Sequence, residues 1–500
     1  MRTLSKSKLL SFRQCGKRLW LELHRPDLRQ DSSATQAGFD RGHQVGDIAR
    51  RLYDPAGKGV LLDPYAVGFD VALKTTTTLL ATAKPIFEAG FSAAGALSMA
   101  DVLLPVGRGA KRSWRMVEVK SSTSVKDYHR DDVAIQAYVA RGAGVPLSAI
   151  ALAYVDSTWT YATAGDYTGL LVEQDMTADA FSRSAEVRDW VAGAQATARK
   201  KLEPRVSVGG HCDTPYPCGF IDYCQGQEQQ AEFPVQWLPR VQTKALKTLL
   251  AQGDVRDLRD VPDELLNQRQ LRVKTHSLSR RVYFDAQGAA AALRHCKLPA
   301  YFLDFETIQF AVPIWTGTRP YEQLPFQFSV HHMARNGKLR HQAFLDVSGS
   351  SPLKAFAETL IAACGEQGPV FVYNAGFETG RIKELAARFP RLRAVLLALN
   401  ARVVDLMPIA QDYYYHPGQR GSWSIKQVLP AIAPNLRYDA LDGVQDGGMA
   451  MSGYLEAIAP ETTLARKYEI EQQLLAYCAL DTMAMVRLWQ VFSGRAALSQ

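Results

Sequence analysis

Five hundred residues are too many for one hydrophobic core, and at roughly 100 to 200 residues per domain they imply about three domains. A chain that is 47% hydrophobic, 22% charged and 10% aromatic has the composition of a globular protein, which excludes extended disorder, a collagen-like repeat and a coiled-coil rod. Lysine and arginine number 58 against 50 acidic residues, and the net charge of +8 suits a polyanionic partner without specifying one.

The first fifteen residues, Met1 to Cys15, carry Arg2, Lys6, Lys8 and Arg13 but no apolar run of signal-peptide length. No stretch approaches the roughly 18 apolar residues of a membrane span, so a cytoplasmic protein without a membrane partner is expected. Seven cysteines are few and odd in number, which favours ligands or buried thiols over a disulfide framework.

From Leu4 to about Gly226 helical stretches alternate with short strands. Ala100–Pro105 reads as a strand, Gly107–Ser113 as a basic turn and Trp114–Ser122 as the returning strand of a hairpin. Glu118 and Lys120 then share a face, because Val119 alternates away from them, and Asp101 stands on the facing strand. Carboxylates opposite a Glu-x-Lys can hold one or two metal ions while the lysine steers a water or a phosphate. The alternative is an exposed hairpin with a salt bridge. The segment closes in a Pro- and Gly-rich run holding Cys212, Cys218 and Cys224, which with Cys15 make four thiols able to cage a soft metal as an iron-sulfur cluster or as zinc.

A polar stretch after Gly226 leads into residues 229–297, expected to be a small helical connector with helices near Lys244–Gln252 and Asp263–Gln270. From Pro299 onward strand-like runs at Tyr301–Phe305, Phe326–His331 and Val370–Tyr373 alternate with helical ones at Leu353–Cys364, Arg381–Ala387 and Glu461–Gln490, the pattern of an α/β layer fold. Asp304 and Glu306 lie at i and i+2 on an apolar strand and therefore on one face of the sheet. Like charges that close repel unless a cation neutralises them. Val370–Tyr373 runs into Asn374 and delivers Glu378 on the opening turn of a helix, with Asp405 a rival third acid. Tyr477 and Asp481, at i and i+4, share one helix face.

The order Asp304-x-Glu306, then Asn374 with Phe377-Glu378, then Tyr477-x-x-x-Asp481 resembles the DEDDy branch of DnaQ-like 3′-5′ exonucleases over about residues 299–498. Val403–Leu406 and Ser422–Leu429 are similar to that family's segment between its second and third motifs. Glu378 stands where the family has Asp, and its extra methylene shifts the carboxylate by about one bond length. The resemblance implies a ribonuclease H-like α/β domain over 298–500. In it Asp304, Glu306, Glu378 and Asp481 hold Mg²⁺ or Mn²⁺, and Tyr477 orients the attacking water.

Residues 1–228 resemble RecB-type PD-(D/E)xK nucleases of the CRISPR-associated iron-sulfur exonuclease class, in which one early and three late cysteines ligate a [4Fe-4S] cluster. That implies a restriction-endonuclease-like α/β core with Asp101 and Glu118 as metal ligands, Lys120 as catalytic lysine and Gln136 on the following helix. The family's first-helix histidine falls at Gly46 here, with His43 out of register, and its Gln-x-x-x-Tyr is replaced by Gln136-Ala137-Tyr138. The pairing of the two halves resembles a family of bacterial fusion proteins.

The expected function is a metal-dependent nuclease acting on DNA in preference to RNA, with a C-terminal 3′-5′ exonuclease centre and a second, N-terminal nuclease centre. The alternatives are a nucleic-acid-binding scaffold that has lost its chemistry and a zinc-stapled RNA-processing exonuclease. Tyr413–Tyr415 could stack nucleobases or simply pack, and Lys111, Arg112, Arg115, Lys126 and Arg130 could meet phosphates or stay solvated. Cys296, Cys364 and Cys478 are expected to be buried thiols.

Overall fold

The computed structural model describes residues 2–496 and divides the chain into two compact α/β units. One comprises residues 1–229 with 310–322, the other 230–309 with 323–500.

In the first unit the described strands form one mixed sheet in the order Val60–Leu61, Ile86–Ala93, Ala96–Val106, Ser113–Lys120, Leu147–Val155, Leu171–Asp175, with Leu4–Ser5 added parallel to Ala96–Val106. The expected hairpin forms between Ala96–Val106 and Ser113–Lys120, with Val102 opposite Val117. Alternation then sorts the second strand. Trp114 and Met116 join Val133, Ala137 and Ala140 of the helix Asp127–Gly142 in the main core, whereas Val117 packs with Phe87, Val102 and Ala153 on the opposite face. Glu118 and Lys120 continue the Trp114 and Met116 row, so the period of two aims both at that helix.

In the second unit the sheet order is Leu339–Leu345, Leu324–Met333, Ala300–Ile308, Val370–Val372, Val403–Asp405, the first three antiparallel and the last two joined in parallel. The central strand has apolar partners on both faces. Phe302 stacks on Phe371 at 5.2 Å and meets Trp489 edge-on, and Phe305 meets Phe356 of the helix Leu353–Cys364. The helix Leu464–Phe492, capped by Thr463 accepting from the Arg466 N–H, therefore covers the face that carries Asp304 and Glu306.

Two expectations on domain limits are corrected. Residues 229–297 do not form a core of their own. Phe233, Leu246, Leu258, Val273 and Leu293 share one hydrophobic cluster with Phe302, Phe371 and Trp489, because so few apolar side chains need the second unit to be buried. Residues 310–322 leave the C-terminal stretch for the first unit, where Ala311 and Val312 pack with Val45, Ile48, Val155 and Leu170. The helix expected from Asp263 begins at Gln268, where Asn267 accepts from the Gln270 N–H and Gln270 returns the bond. No helix among the described residues is long and apolar enough to cross a membrane.

Candidate functional site

Three carboxylates of the second unit converge. One ligand atom from each of Asp304, Glu306 and Asp481 lies within 4.8 Å of the others. The strand supplies the first two and the long helix the third, and side-chain bonds fix the helix on the sheet. Ser329, the cross-strand partner of Asp304, reaches the Thr482 hydroxyl at 2.8 Å, His331 Nδ1 reaches the same hydroxyl at 2.8 Å, and Gln327 donates to the Leu474 carbonyl at 2.7 Å.

Burial, then Asp481 and Glu306, push Asp304 well above the usual carboxylate range. Burial with Asp481 beside it raises Glu306 to about 8, and burial raises Asp481 to about 6 even though Tyr438 and Lys426 oppose the shift. Glu378 stands on the first turn of Gly376–Arg388, outside the group of three, yet its charge is felt at Asp304. It is only 2% exposed, its Oε2 has no hydrogen-bond partner, and burial raises it to about 8. An orphaned buried carboxylate oxygen beside three repelling acids is the donor set of hard divalent cations.

Asp405 is occupied elsewhere: it accepts from the backbone N–H groups of Asn374 (2.9 Å), Ala375 (3.0 Å) and Met407 (2.9 Å) and so holds the turn that presents Glu378. Asn374, at φ 76°, makes that turn in the left-handed region.

Tyr477 lies against the triad, with burial and Asp481 holding its phenol above the ordinary range. Three neighbours escaped the sequence reading. Tyr438 donates to Asp481 Oδ1 at 2.5 Å. Lys426 Nζ stands 5.1 Å from the Tyr438 ring centroid and 5.0 Å from that of Tyr477. Cys478 brings its sulfur to 3.8 Å from Asp304 Oδ2. Tyr438 is 43 positions from Asp481, so only the fold could reveal it; Lys426 lies in Ser422–Leu429, a segment the sequence singled out without giving the lysine a role, and Cys478, beside Tyr477, was legible as buried but not as a neighbour of Asp304.

The first unit assembles a second cluster. Glu118 is 1% exposed and accepts from Lys6 Nζ (2.8 Å), Lys120 Nζ (2.6 Å) and Gln136 Nε2. Asp132, one helical turn before Gln136, accepts from Lys120 (2.6 Å) and Gln136 (3.0 Å) and lies 3.0 Å from Lys6. Asp101 accepts from the Val119 N–H at 2.6 Å, and burial followed by Glu118 pushes it well above the usual range. Burial would raise Asp132 too, but Lys120 and Lys6 outweigh it and hold the carboxyl far below its ordinary value. Burial likewise works to lower both lysines, and the acids outweigh it, so both ammonium groups stay charged.

Lys6, Asp132 and Glu88 were missed. Glu88, at φ 57° within its strand, is raised by burial and then by Glu118. An acid inside the apolar run Ile86–Phe91 was the available signal. His43 is exposed, though its charge reaches Glu88, and Tyr138 packs on the apolar core instead of entering the cluster.

Cys15, Cys212, Cys218 and Cys224 line one cavity with Lys17 and Arg18. Burial raises the Cys218 and Cys224 thiols, against Arg18 and Lys17 respectively. Four thiols beside two cations fit an anionic metal-thiolate group.

Most other candidates, Cys478 excepted, are placed away from the two acid clusters. Tyr414 and Tyr415 are buried and pair with Phe284 and Tyr283, which overturns base stacking by those two rings, and Tyr413 packs beside the same core. Arg112 donates to the Ala81 and Thr82 carbonyls, Arg115 pairs with Glu173 and Arg130 with Asp179, while Lys111 and Lys126 are exposed. Cys364 and Cys478 are buried as expected, and Cys296 is half-buried.

A family model described as Domain of unknown function (DUF2779) matches residues 301–424. The match holds Asp304, Glu306, Glu378 and Asp405 and ends before Lys426, Tyr438, Tyr477 and Asp481. No curated protein matches the chain.

Proposed function

We propose that the chain is a metal-dependent nuclease that shortens DNA from its 3′ end at the Asp304 centre and carries a second phosphodiesterase centre around Glu118. The observation that carries this reading is the convergence of Asp304, Glu306 and Asp481 within 4.8 Å, the first two half-buried and the third buried, mutually repelling, with Tyr477 alongside. Glu378, with its unpartnered oxygen, supplies the fourth carboxylate. When bound, two divalent cations at such a site stabilise the negative charge that builds on the attacking and leaving oxygens of an in-line displacement.

The chain's own groups do the positioning. Tyr477 and Tyr438 keep their protons at neutral pH, because burial and then Asp481 hold both phenols above the ordinary range. Tyr438 donates to Asp481, and the Tyr477 hydroxyl, which also acts on Asp481, would orient a water beside it. The water oxygen gives up a proton as it bonds to phosphorus and the bond to the 3′ oxygen breaks, and that oxygen keeps the electron pair and takes up a proton, releasing a 5′-mononucleotide.

A ribonuclease H-like reading of the second unit is supported by a central strand that bears both acids between an antiparallel and a parallel neighbour. A PD-(D/E)xK reading of the first is supported by Asp101, Glu118, Lys120 and Gln136 meeting between two central strands and one helix.

For the thiols, a [4Fe-4S] cluster is preferred to zinc. One distant cysteine with a trio spaced by five residues departs from the paired short Cys-x2-4-Cys knuckles usual in structural zinc sites. Anaerobically purified protein is expected to be brown and to hold iron and sulfide; a colourless protein with one zinc per chain overturns the cluster.

The test of function uses single-stranded DNA labelled at either end, with Mg²⁺ or Mn²⁺, and Asp304→Ala and Glu118→Ala beside the wild type. A ladder receding from the 3′ end that vanishes in Asp304→Ala is the expected result, and activity lost only in Glu118→Ala belongs to the first unit. Wild-type protein that binds DNA and leaves it intact makes the chain a binding scaffold, and cleavage confined to RNA makes it an RNA-processing exonuclease.

A further inference from the structure

The Asp304 centre contains a cation that none of the expected motif residues explains. Lys426, on the helix Ile425–Ile432, places its Nζ between the rings of Tyr438 and Tyr477, 5.1 Å and 5.0 Å from their centroids, and those rings stand 6.1 Å apart. One of its three N–H bonds goes to the Gln445 carbonyl at 2.9 Å. The tyrosine faces fix the ammonium without neutralising it, since an aromatic ring attracts a cation by its quadrupole and carries no net charge. Its field is felt at both Glu306 and Asp481.

Charge balance says what such a cation is for. Four carboxylates, Asp304, Glu306, Glu378 and Asp481, match two divalent cations in charge. A phosphodiester entering that site brings one further negative charge, and a fixed ammonium at its edge matches it. For the cations themselves Lys426 is unfavourable, because like charges repel, so it has no role in recruiting them. A lysine kept there despite that repulsion acts on the anion that arrives with them.

We propose that Lys426 is the phosphate-binding cation of the Asp304 centre, donating to a non-bridging oxygen of the nucleotide that the site holds; this rests on the nuclease reading of that centre. Tyr438 is its positioning residue, holding one side of the ammonium while bonding Asp481.

The two roles open to Lys426 move two equilibria in opposite directions. The probes are Mn²⁺ alone and thymidine 5′-monophosphate in the presence of Mn²⁺, each titrated calorimetrically into the full chain. Lys426→Met is expected to bind Mn²⁺ as tightly as the wild type or several-fold more tightly, because a repelling charge is gone. It is expected to bind the mononucleotide roughly tenfold to a hundredfold more weakly, the loss typical of a hydrogen bond to a charged group. Lys426→Arg is expected to restore most of the nucleotide affinity.

If Lys426→Met loses Mn²⁺ and nucleotide together, the lysine only maintains the site's shape and the proposal falls. Nucleotide affinity unchanged in Lys426→Met also overturns it. If Asp304→Ala does not reduce Mn²⁺ binding by the wild-type protein, the nuclease reading of the centre fails first, and the proposal fails with it.

Discussion

Around Glu118 two lysines and a glutamine hold Glu118 and Asp132, whereas around Asp304 three carboxylates and a nearby fourth face one ammonium that points at tyrosine rings. The pKa shifts follow the partners: Asp132, bonded by Lys120 and beside Lys6, is held far below its ordinary value, whereas Glu306 is raised to about 8 and, in the first unit, Asp101 and Glu88 are raised as well. Burial penalises both sites alike, so the difference lies in the counter-ions. Glu118 and Asp132 are bonded by cations of the chain itself, whereas the single ammonium at the Asp304 centre leaves most of the repulsion there for a divalent cation to release.

The largest effect expected from this contrast is on metal binding. Asp304→Ala should weaken Mn²⁺ binding to the second unit by more than about a hundredfold, read by calorimetry, since it removes a central ligand of the converging group. Asp101→Ala should leave that affinity unchanged. If Asp101→Ala weakens the same site, the two centres are not the separate entities described.

Stability in EDTA should then respond with opposite signs. Asp132→Ala strips two lysines of a buried partner and should destabilise the first unit by about 3 kcal/mol. Glu306→Gln removes the cost of holding a carboxyl protonated in the folded state and should raise the unfolding midpoint of the metal-free second unit. Separate calorimetric transitions would report both. A midpoint lowered by Glu306→Gln would mean that Glu306 makes favourable contacts outweighing that cost.

A smaller effect is the pH dependence of the metal-free protein. Glu306 and Glu378, raised to about 8, keep protons in the folded state that the unfolded chain has lost above about pH 4.3. The folded state thus binds more protons between those limits, and the second unit's stability falls as pH rises from about 4.3 toward 8. Asp132 runs the other way: its folded value is depressed, so its contribution is present above about pH 4 and is lost as pH falls below the unfolded value. Thermal midpoints from pH 5 to 8 in EDTA, with the loss abolished by Mn²⁺, check the first statement.

The smallest expected effect is at Tyr138. Tyr138→Phe should change stability by less than about 0.5 kcal/mol and leave any Glu118-dependent cleavage as it was, because the ring packs on the core. A large loss of cleavage would place its hydroxyl in the site.

Period and spacing were enough for the α/β character, the hairpin of Asp101 and Glu118, the shared face of Asp304 and Glu306, and the helical pairing of Tyr477 with Asp481, because alternation on a strand and i, i+4 on a helix are properties of the local backbone. Cysteine spacing likewise indicated a cage, and the four thiols do line one cavity. The connector shows where local reading stops: the helices near Lys244 and Gln268 are in the sequence, but which core buries their apolar faces depends on surfaces far along the chain. The same holds for Lys6 at Glu118 and for Lys426 and Tyr438 at Asp481, separations of 112, 55 and 43 residues respectively. The sequence by itself determined which residues carry charge and which face of each element they occupy. Only the tertiary structure decided which charges meet, and with that which carboxylates are neutralised from within and which are left needing a cation, because an electrostatic environment is set by distance in space and burial, neither of which a local pattern encodes.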